Sequence, residues 1–108
     1  MLTESFQAQL SLTTVGAGNP TIGRQERCTA SRTALGVITV IVSEAIATDD
    51  ADIACTIGLA AGATVNITKG ADDFTWLIRT FTVTAGALAA SDVAGSLVNL
   101  TLKRVDPA

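Results

Sequence analysis

Two segments of this chain show a two-residue alternation of apolar and polar side chains, which restricts the folds available to it. Between Phe6 and Leu12 every second residue is apolar, and Val98, Leu100 and Leu102 repeat the pattern near the C-terminus. This period is that of a β-strand with one buried and one solvated face. No segment has a sustained helical period, and turn residues recur about every 8–12 residues. The sequence therefore predicts an all-β fold, an antiparallel β-sandwich with a jelly-roll-like topology.

Three further segments predict strands of this sandwich. Residues 35–45 are apolar at both alternating sets of positions, which indicates a central strand covered on both sides, or covered on one side by another subunit. Residues 53–60 and 64–68 each alternate, and the Ala61–Gly62 pair between them predicts a tight hairpin. A hairpin would make these two strands neighbours in one sheet.

The largest aromatic residues lie in a segment whose alternation changes phase. Trp76 and Phe81 fall on opposite faces of a regular strand over residues 74–84. A β-bulge near Arg79 and Thr80 would turn both rings toward one core, because one extra residue reverses the alternation. The alternative is a strand buried on both faces. The apolar neighbours of Trp76 favour a core position, and an exposed platform for a sugar ring is the alternative.

The low charge of the chain argues against several classes of function. Only 16% of its 108 residues are charged, 48% are hydrophobic and the net charge is −3, which fits one domain without the basic face that nucleic acid requires. The longest apolar run is far shorter than the ~18 residues of a membrane span, and the N-terminus lacks the pattern of a signal peptide. We therefore expect a protein made in the cytoplasm that binds neither nucleic acid nor a membrane.

Catalytic chemistry has few candidate groups in this sequence. The chain has no histidine, so arrangements that depend on imidazole are missing, and we expect neither an enzyme nor a bound cofactor. The acidic run from Asp49 to Asp52 and the pair Asp72 and Asp73 could share a calcium ion. Their spacing does not match a calcium loop, and acidic residues are common in solvated turns. We therefore predict turns at both places and no metal site.

The two cysteines, Cys28 and Cys55, are too few for a disulfide framework or a zinc site. Cys55 alternates with Ile53 and Ile57, which favours a small buried residue over a disulfide partner. The sequence leaves open whether the two thiols pair.

Residues 13–34 lack a clear alternation and predict a long loop or arm. A compact domain rarely keeps more than ~12–15 residues without regular structure unless they bind something. We therefore predict contact with a partner by a group of polar residues and one proline in this segment: Arg24, Arg27, Arg32, Asn19 and Pro20. The arginines could form bidentate pairs with carboxylates of that partner. The alternative is a loop followed by an edge strand over residues 24–32, whose arginines face solvent.

The closing segment of the chain adds a family resemblance. The sequence "GSLVNLTLKR", from Gly95 to Arg104, follows a turn region of Ala, Ser and Asp and an apolar strand that contains Phe81. This arrangement resembles the closing strands of small β-sandwich virion structural proteins of tailed bacteriophages. The resemblance implies a capsid decoration or cement protein on the virion surface, which binds the major capsid protein as a homo-oligomer with a trimer favoured. The alternative is a receptor- or glycan-binding tip domain of a phage fibre or adhesin.

Overall fold

The chain forms two antiparallel β-sheets packed face to face in a computed structural model that describes residues 2–58, 62–84 and 86–107. The strands are β1 (Leu2–Val15), β2 (Thr21–Glu26), β3 (Cys28–Ala34), β4 (Val37–Val42), β5 (Ala51–Gly58), β6 (Ala63–Lys69), β7 (Thr75–Thr84), β8 (Ala87–Ala90) and β9 (Ala94–Pro107), with a short 3-10 turn at Thr48–Asp50. Sheet A has the order β2-β1-β9-β5, and sheet B has the order β3-β4-β7-β6, with β8 beside β7. The predicted all-β sandwich is confirmed, and the jelly-roll topology stays a prediction.

The first and last strands form the centre of sheet A. They pair antiparallel from Leu2 opposite Pro107 to Val15 opposite Ala94, with two local shifts of register. Their alternation places one row of apolar side chains from each strand against sheet B. That row is buried and consists of Phe6, Ala8, Leu10 and Leu12 on β1 and Val98, Leu100 and Leu102 on β9. The alternation predicted for these two strands is therefore confirmed.

Strand β4 lies inside sheet B, between β3 and β7. Ile38, Val40 and Val42 are buried against sheet A, whereas Ile41 on the opposite face is 50% exposed. The prediction that this segment is covered on both sides is wrong for a single chain, because no described part of the chain lies over the outer face of sheet B. Cover by another subunit stays a prediction.

Strands β5 and β6 do not form a hairpin. β5 pairs with β9 in sheet A, and β6 pairs with β7 in sheet B, so the chain crosses between the sheets after β5. The predicted tight turn is wrong, and Ala61 itself lies outside the described residues. The reason is physical: alternation indicates that one face of a strand is buried, and it does not indicate which strand is the neighbour.

Strand β7 has no bulge. Its register with β6 runs without a shift from Trp76 opposite Lys69 to Thr82 opposite Ala63. Trp76 is buried in the core, as predicted, but Phe81 lies on the outer face and is only partly buried. The predicted bulge is wrong because apolar residues on both faces can also belong to one regular strand. The C-terminal part of β7, which contains Phe81, pairs with β8.

The segment predicted as a long loop or arm is mostly strand. β1 continues to Val15, residues 16–20 form the turn, and β2 and β3 fill the rest of the segment. Both are edge strands, one in each sheet, and Arg27 between them has a positive φ of 57° where the chain changes sheet. Edge strands with solvated faces lack the apolar period that marks β1 and β9, so the sequence indicated an edge strand here only as the alternative, over residues 24–32. Within the described ranges, no helix is long and apolar enough to cross a membrane.

The opposite orientations of Trp76 and Phe81 predict different losses of stability. Truncation of the buried ring in Trp76→Ala should lower the free energy of unfolding by about 3–5 kcal/mol, because a core cavity remains. Phe81→Ala removes a partly exposed ring from the outer face and should lower it by only about 1–2 kcal/mol. Urea denaturation of the two variants measures both values. Equal losses would mean that both rings contribute to one core.

Candidate protein-binding surfaces

Three of the residues predicted to bind a partner meet at one end of the sandwich. Arg32 forms a bidentate pair with Asp92, with Nε 3.2 Å from Oδ1 and Nη2 2.7 Å from Oδ2. The backbone N–H of Arg32 donates to Oδ1 of Asn19 at 3.0 Å, and the next residue, Pro20, is buried. The backbone N–H of Gly36 also donates to Asp92, at 2.8 Å. We call this group, Asn19, Arg32, Gly36 and Asp92, the Arg32–Asp92 junction.

The junction joins three connections that lie far apart in the sequence: the β1–β2 turn, the β3–β4 turn and the link from β8 to β9. Gly36 fits there because its φ is +65° and an added Cβ would lie 2.7 Å from the carbonyl oxygen of Thr80. The hydrogen bonds from Arg32 and then from the Gly36 N–H lower the pKa of Asp92, and the Asp92 carboxylate raises the pKa of Arg32. The pair is therefore charged at neutral pH and engaged within the chain.

The other two predicted arginines lie on β2 and directly after it. Arg24, on β2, pairs with Glu26 of the same strand at 3.2 Å, and both side chains are largely exposed. Arg27 donates from Nε to the backbone carbonyl of Gln7 at 2.6 Å, which ties the crossing between the sheets to β1. All three predicted arginines thus contact their own chain, and their role in partner binding stays a prediction.

Asp92 is the charged residue of this group that sequence reasoning missed. It is the one charged residue between Arg79 and Lys103, in a stretch of small and apolar residues. A lone carboxylate in such a stretch is costly to desolvate without a cation, so it was a usable signal for a long-range ion pair. The partner of Asp92 could not be predicted, because the sequence does not indicate which loops lie close together in the fold.

The acidic residues lie in turns and at a strand start. Asp49 is in the 3-10 turn, and Asp52 is exposed on β5. The side chain of Thr75 and then the backbone N–H of Phe74 lower the pKa of Asp72 by hydrogen bonding to it. Nζ of Lys69 is 3.0 Å from Oδ1 of Asp73. Among the described residues, no three acidic or cysteine side chains group as metal ligands.

Both cysteines are free thiols. Cys28 is buried on β3 and its S–H donates to the carbonyl of Gln9, with sulfur and oxygen 3.4 Å apart. Cys55 is exposed, so the prediction that it is buried is wrong. Cys55 nevertheless lies on the inner face of sheet A, as the alternation predicts, because it is opposite the buried Leu100 of β9. Cys55 faces the inside of the sandwich at an edge that sheet B does not cover.

The outer face of sheet B is a weakly charged surface. The register of its strands brings a set of small polar and apolar residues to this face: Thr29, Ser31 and Thr33 on β3; Val37, Thr39 and Ile41 on β4; Thr64, Asn66 and Thr68 on β6; Thr75, Leu77, Arg79, Phe81 and Val83 on β7; and Leu88 and Ala90 on β8. Ile41, Val83 and Leu88 are 50%, 50% and 61% exposed. Arg79 is the one charged residue of the set.

The outer face of sheet A differs in chemistry. It presents a shallow groove of about 220 Å³ lined mainly by amides and hydroxyls, with Arg24 at one side. The polar lining residues are Gln9 and Ser11 on β1, Asn99 and Thr101 on β9, and Thr56 on β5. Oε1 of Gln9 is buried there and accepts no hydrogen bond from the chain. The groove as a whole presents amide and hydroxyl groups that can hydrogen-bond a ligand.

Comparison with family models, curated proteins and solved structures finds no match to this chain. The resemblance of the closing strands to phage virion proteins thus stays a prediction that rests on the residues from Phe81 to Arg104. Any assignment of function must come from the surfaces just described.

The Arg32–Asp92 junction predicts a stability loss on the acid side. Because the folded pKa of Asp92 lies below its ordinary value of 3.8, its contribution is fully present above that pH and is lost as the pH falls through the lowered value. Asp92→Asn should therefore unfold at lower urea concentration than the wild type at pH 7, and the difference should shrink by pH 2–3. Asp49→Asn, which changes an exposed carboxylate in the 3-10 turn, is the control. A gap between Asp92→Asn and wild type that is unchanged at low pH would contradict the junction.

Proposed function

We propose that this protein is a structural virion protein that decorates or cements a bacteriophage capsid by binding the lattice of the major capsid protein. The observation that supports this proposal most directly is the outer face of sheet B. Interface cores are depleted of charged residues, and this face has one charge among its many side chains. It also keeps Ile41, Val83 and Leu88 half exposed, which is unfavourable in water and favours a covered state.

The layer beneath this face makes it a preformed docking surface. Val40, Trp76 and Ile78 lie on the inner side of the same strands and are buried. Strands held on one side by a packed core lose little conformational entropy when the other side binds a partner. Threonine side chains also keep the entropy loss on binding small, because a β-branched side chain has few rotamers to lose in a strand. A broad and rigid sheet face suits the repeated surface of a shell.

The polar groups of the face can be satisfied inside an interface. Thr33 and Thr39 already share a hydrogen bond between their hydroxyls, with 2.7 Å between the oxygens. A hydroxyl can both donate and accept, so it adapts to backbone groups on a partner without the desolvation cost of a full charge. A protein surface is therefore a better match for this face than a charged polymer or a membrane headgroup layer.

The proposal predicts that single lysines on the outer face of sheet B prevent docking. Ile41→Lys and Leu88→Lys should each weaken binding to emptied phage capsids more than tenfold, because an ammonium group would be buried without a partner. Leu97→Lys is the matched control: Leu97 is 52% exposed, close to Ile41, but lies on the outer face of sheet A. Co-sedimentation with capsids measures binding, and thermal melting shows that each variant is folded. Equal binding by Ile41→Lys and Leu97→Lys would exclude sheet B as the docking face.

A receptor- or glycan-binding tip domain is the second candidate function, and the groove on sheet A favours it. Amide and hydroxyl groups around the unpaired Gln9 Oε1 are the groups that hydrogen-bond sugars. Trp76 cannot act as an aromatic platform because it is buried in the core. A glycan array decides between the candidates: binding that is lost in Asn99→Ala and kept in Ile41→Lys would favour the glycan-binding function.

A further inference from the structure

Strand β5 is an edge of sheet A without the features that normally protect an edge from pairing. Exposed edges are usually protected by charges, bulges, proline or short length. The edge at β2 has such protection, since Gly23 interrupts its register with β1 and Arg24 and Glu26 carry charges. β5 pairs with β9 over all eight residues without a shift of register, and its single charged residue is Asp52.

The inner side of β5 is also incompletely covered. Ile53 and Cys55 lie opposite Leu102 and Leu100, which are 1% and 2% exposed. Ile53 itself is 42% exposed, and Cys55 is exposed as well. The inner side chains of β9 are therefore buried, whereas those of the neighbouring strand β5 remain partly exposed to solvent. A strand added beside β5 would shield these side chains and satisfy the unpaired backbone groups of the edge.

We propose that the strand added there is β5 of a second copy, paired antiparallel about a two-fold axis with Cys55 opposite Cys55. The inference does not depend on the proposed function. In an antiparallel pair, residues directly opposite each other point to the same face of the sheet. Pairing about Cys55 therefore joins the two inner faces and continues sheet A across both copies. Such an interface is isologous and closes as a dimer.

The side chains of β5 are complementary to themselves in this register. Ile53 of each copy lies opposite Ile57 of the other, so each copy places a β-branched apolar residue against another. Asp52 lies opposite Gly58, and the two Asp52 residues are about 20 Å apart along the seam at about 3.3 Å per residue. That separation exceeds the Debye length of about 8 Å at physiological salt. A register centred on Ala54 would instead leave Ile57 opposite Ala51.

Cys55 gives a direct measure of this register. Opposite residues in an antiparallel pair have Cα atoms about 4.5–5.5 Å apart, which lies within the range for a disulfide. Desolvation raises the pKa of the Cys55 thiol, which lowers the fraction of reactive thiolate at neutral pH. Linking two thiols is a two-electron oxidation, so the experiment needs an added oxidant. Diamide, an azo compound, serves this purpose: two thiols lose two protons and two electrons to it, forming the disulfide and the hydrazine product. Cys28 is buried and does not compete.

The first experiment tests the edge. Sedimentation velocity of the full chain over a range of concentrations should show a reversible dimer. Ile53→Lys should weaken the dimer more than tenfold, because it places a charge at the apolar seam. Ile22→Lys, on the protected edge at β2 where Ile22 is 37% exposed, should leave the dimer unchanged. Both residues are partly in solvent, so both variants should fold, which circular dichroism checks.

The second experiment tests the register by diamide cross-linking and non-reducing electrophoresis. The wild type should give a covalent dimer through Cys55, and Cys55→Ser should give none. Within the Cys55→Ser chain, Ala54→Cys alone and Thr56→Cys alone should not cross-link, whereas a mixture of the two should, because position 54 lies opposite position 56. Self-linking of the Ala54→Cys chain would overturn the register.

A chain that stays monomeric at all concentrations would overturn the proposal. A dimer that Ile53→Lys leaves intact would also overturn it, because the interface would then lie away from β5. Binding of capsids by a strictly monomeric chain would leave the proposed function in place while removing the dimer, so the two proposals can fail separately.

Discussion

The pairing of β1 with β9 builds the centre of sheet A and determines where the other strands of that sheet can lie. These two 14-residue strands supply most of the sheet A side of the core and occupy the two central positions of that sheet. Because each has a neighbour on its other side, β2 and β5 become edges. The chain must then return to β9 from β8, which lies in sheet B, and the Arg32–Asp92 junction fixes that return. The ion pair thus holds the crossing that lets the last strand lie beside the first.

The sequence predicted the strands whose faces differ most in burial. β1 and β9 have one dry and one wet face, so Leu10 and Leu100 alternate with amides, and their pattern is unambiguous. The pattern failed for three other features, each for its own reason. β2 and β3 bury few side chains, so their sequences show little alternation. β5 and β6 do alternate, but they pair with other strands and not with each other. β7 has apolar residues on both faces of an unbroken strand, a pattern that in sequence resembles a bulge. The sequence shows Asp92 as an isolated charge, but it does not show that Arg32 is its partner.

Charge is distributed unevenly over the outer faces and the edge strands of the sandwich. Arg24, Arg27 and Arg32 all lie on or between β2 and β3, and each is bound to its own chain. This arrangement protects that pair of edges from pairing with other strands. The edge at β5 and the outer face of sheet B have one charged residue each, Asp52 and Arg79. Charge is therefore nearly absent from the two surfaces that we propose for association.

The geometry of the two open surfaces is compatible with simultaneous use. β5 belongs to sheet A and the proposed docking face to sheet B, so pairing through β5 leaves that face free. A two-fold axis that extends a sheet in its own plane runs perpendicular to the sheet, and it keeps both copies the same way up. The outer faces of sheet B in the two copies would then point to the same side. A repeated shell could engage both at once, and a second contact made within an already bound dimer raises the overall affinity without any stronger individual contact. Modest contacts by Ile41 and Leu88 would suffice in such an arrangement, which offers a physical reason for a face so poor in charges and large aromatic rings.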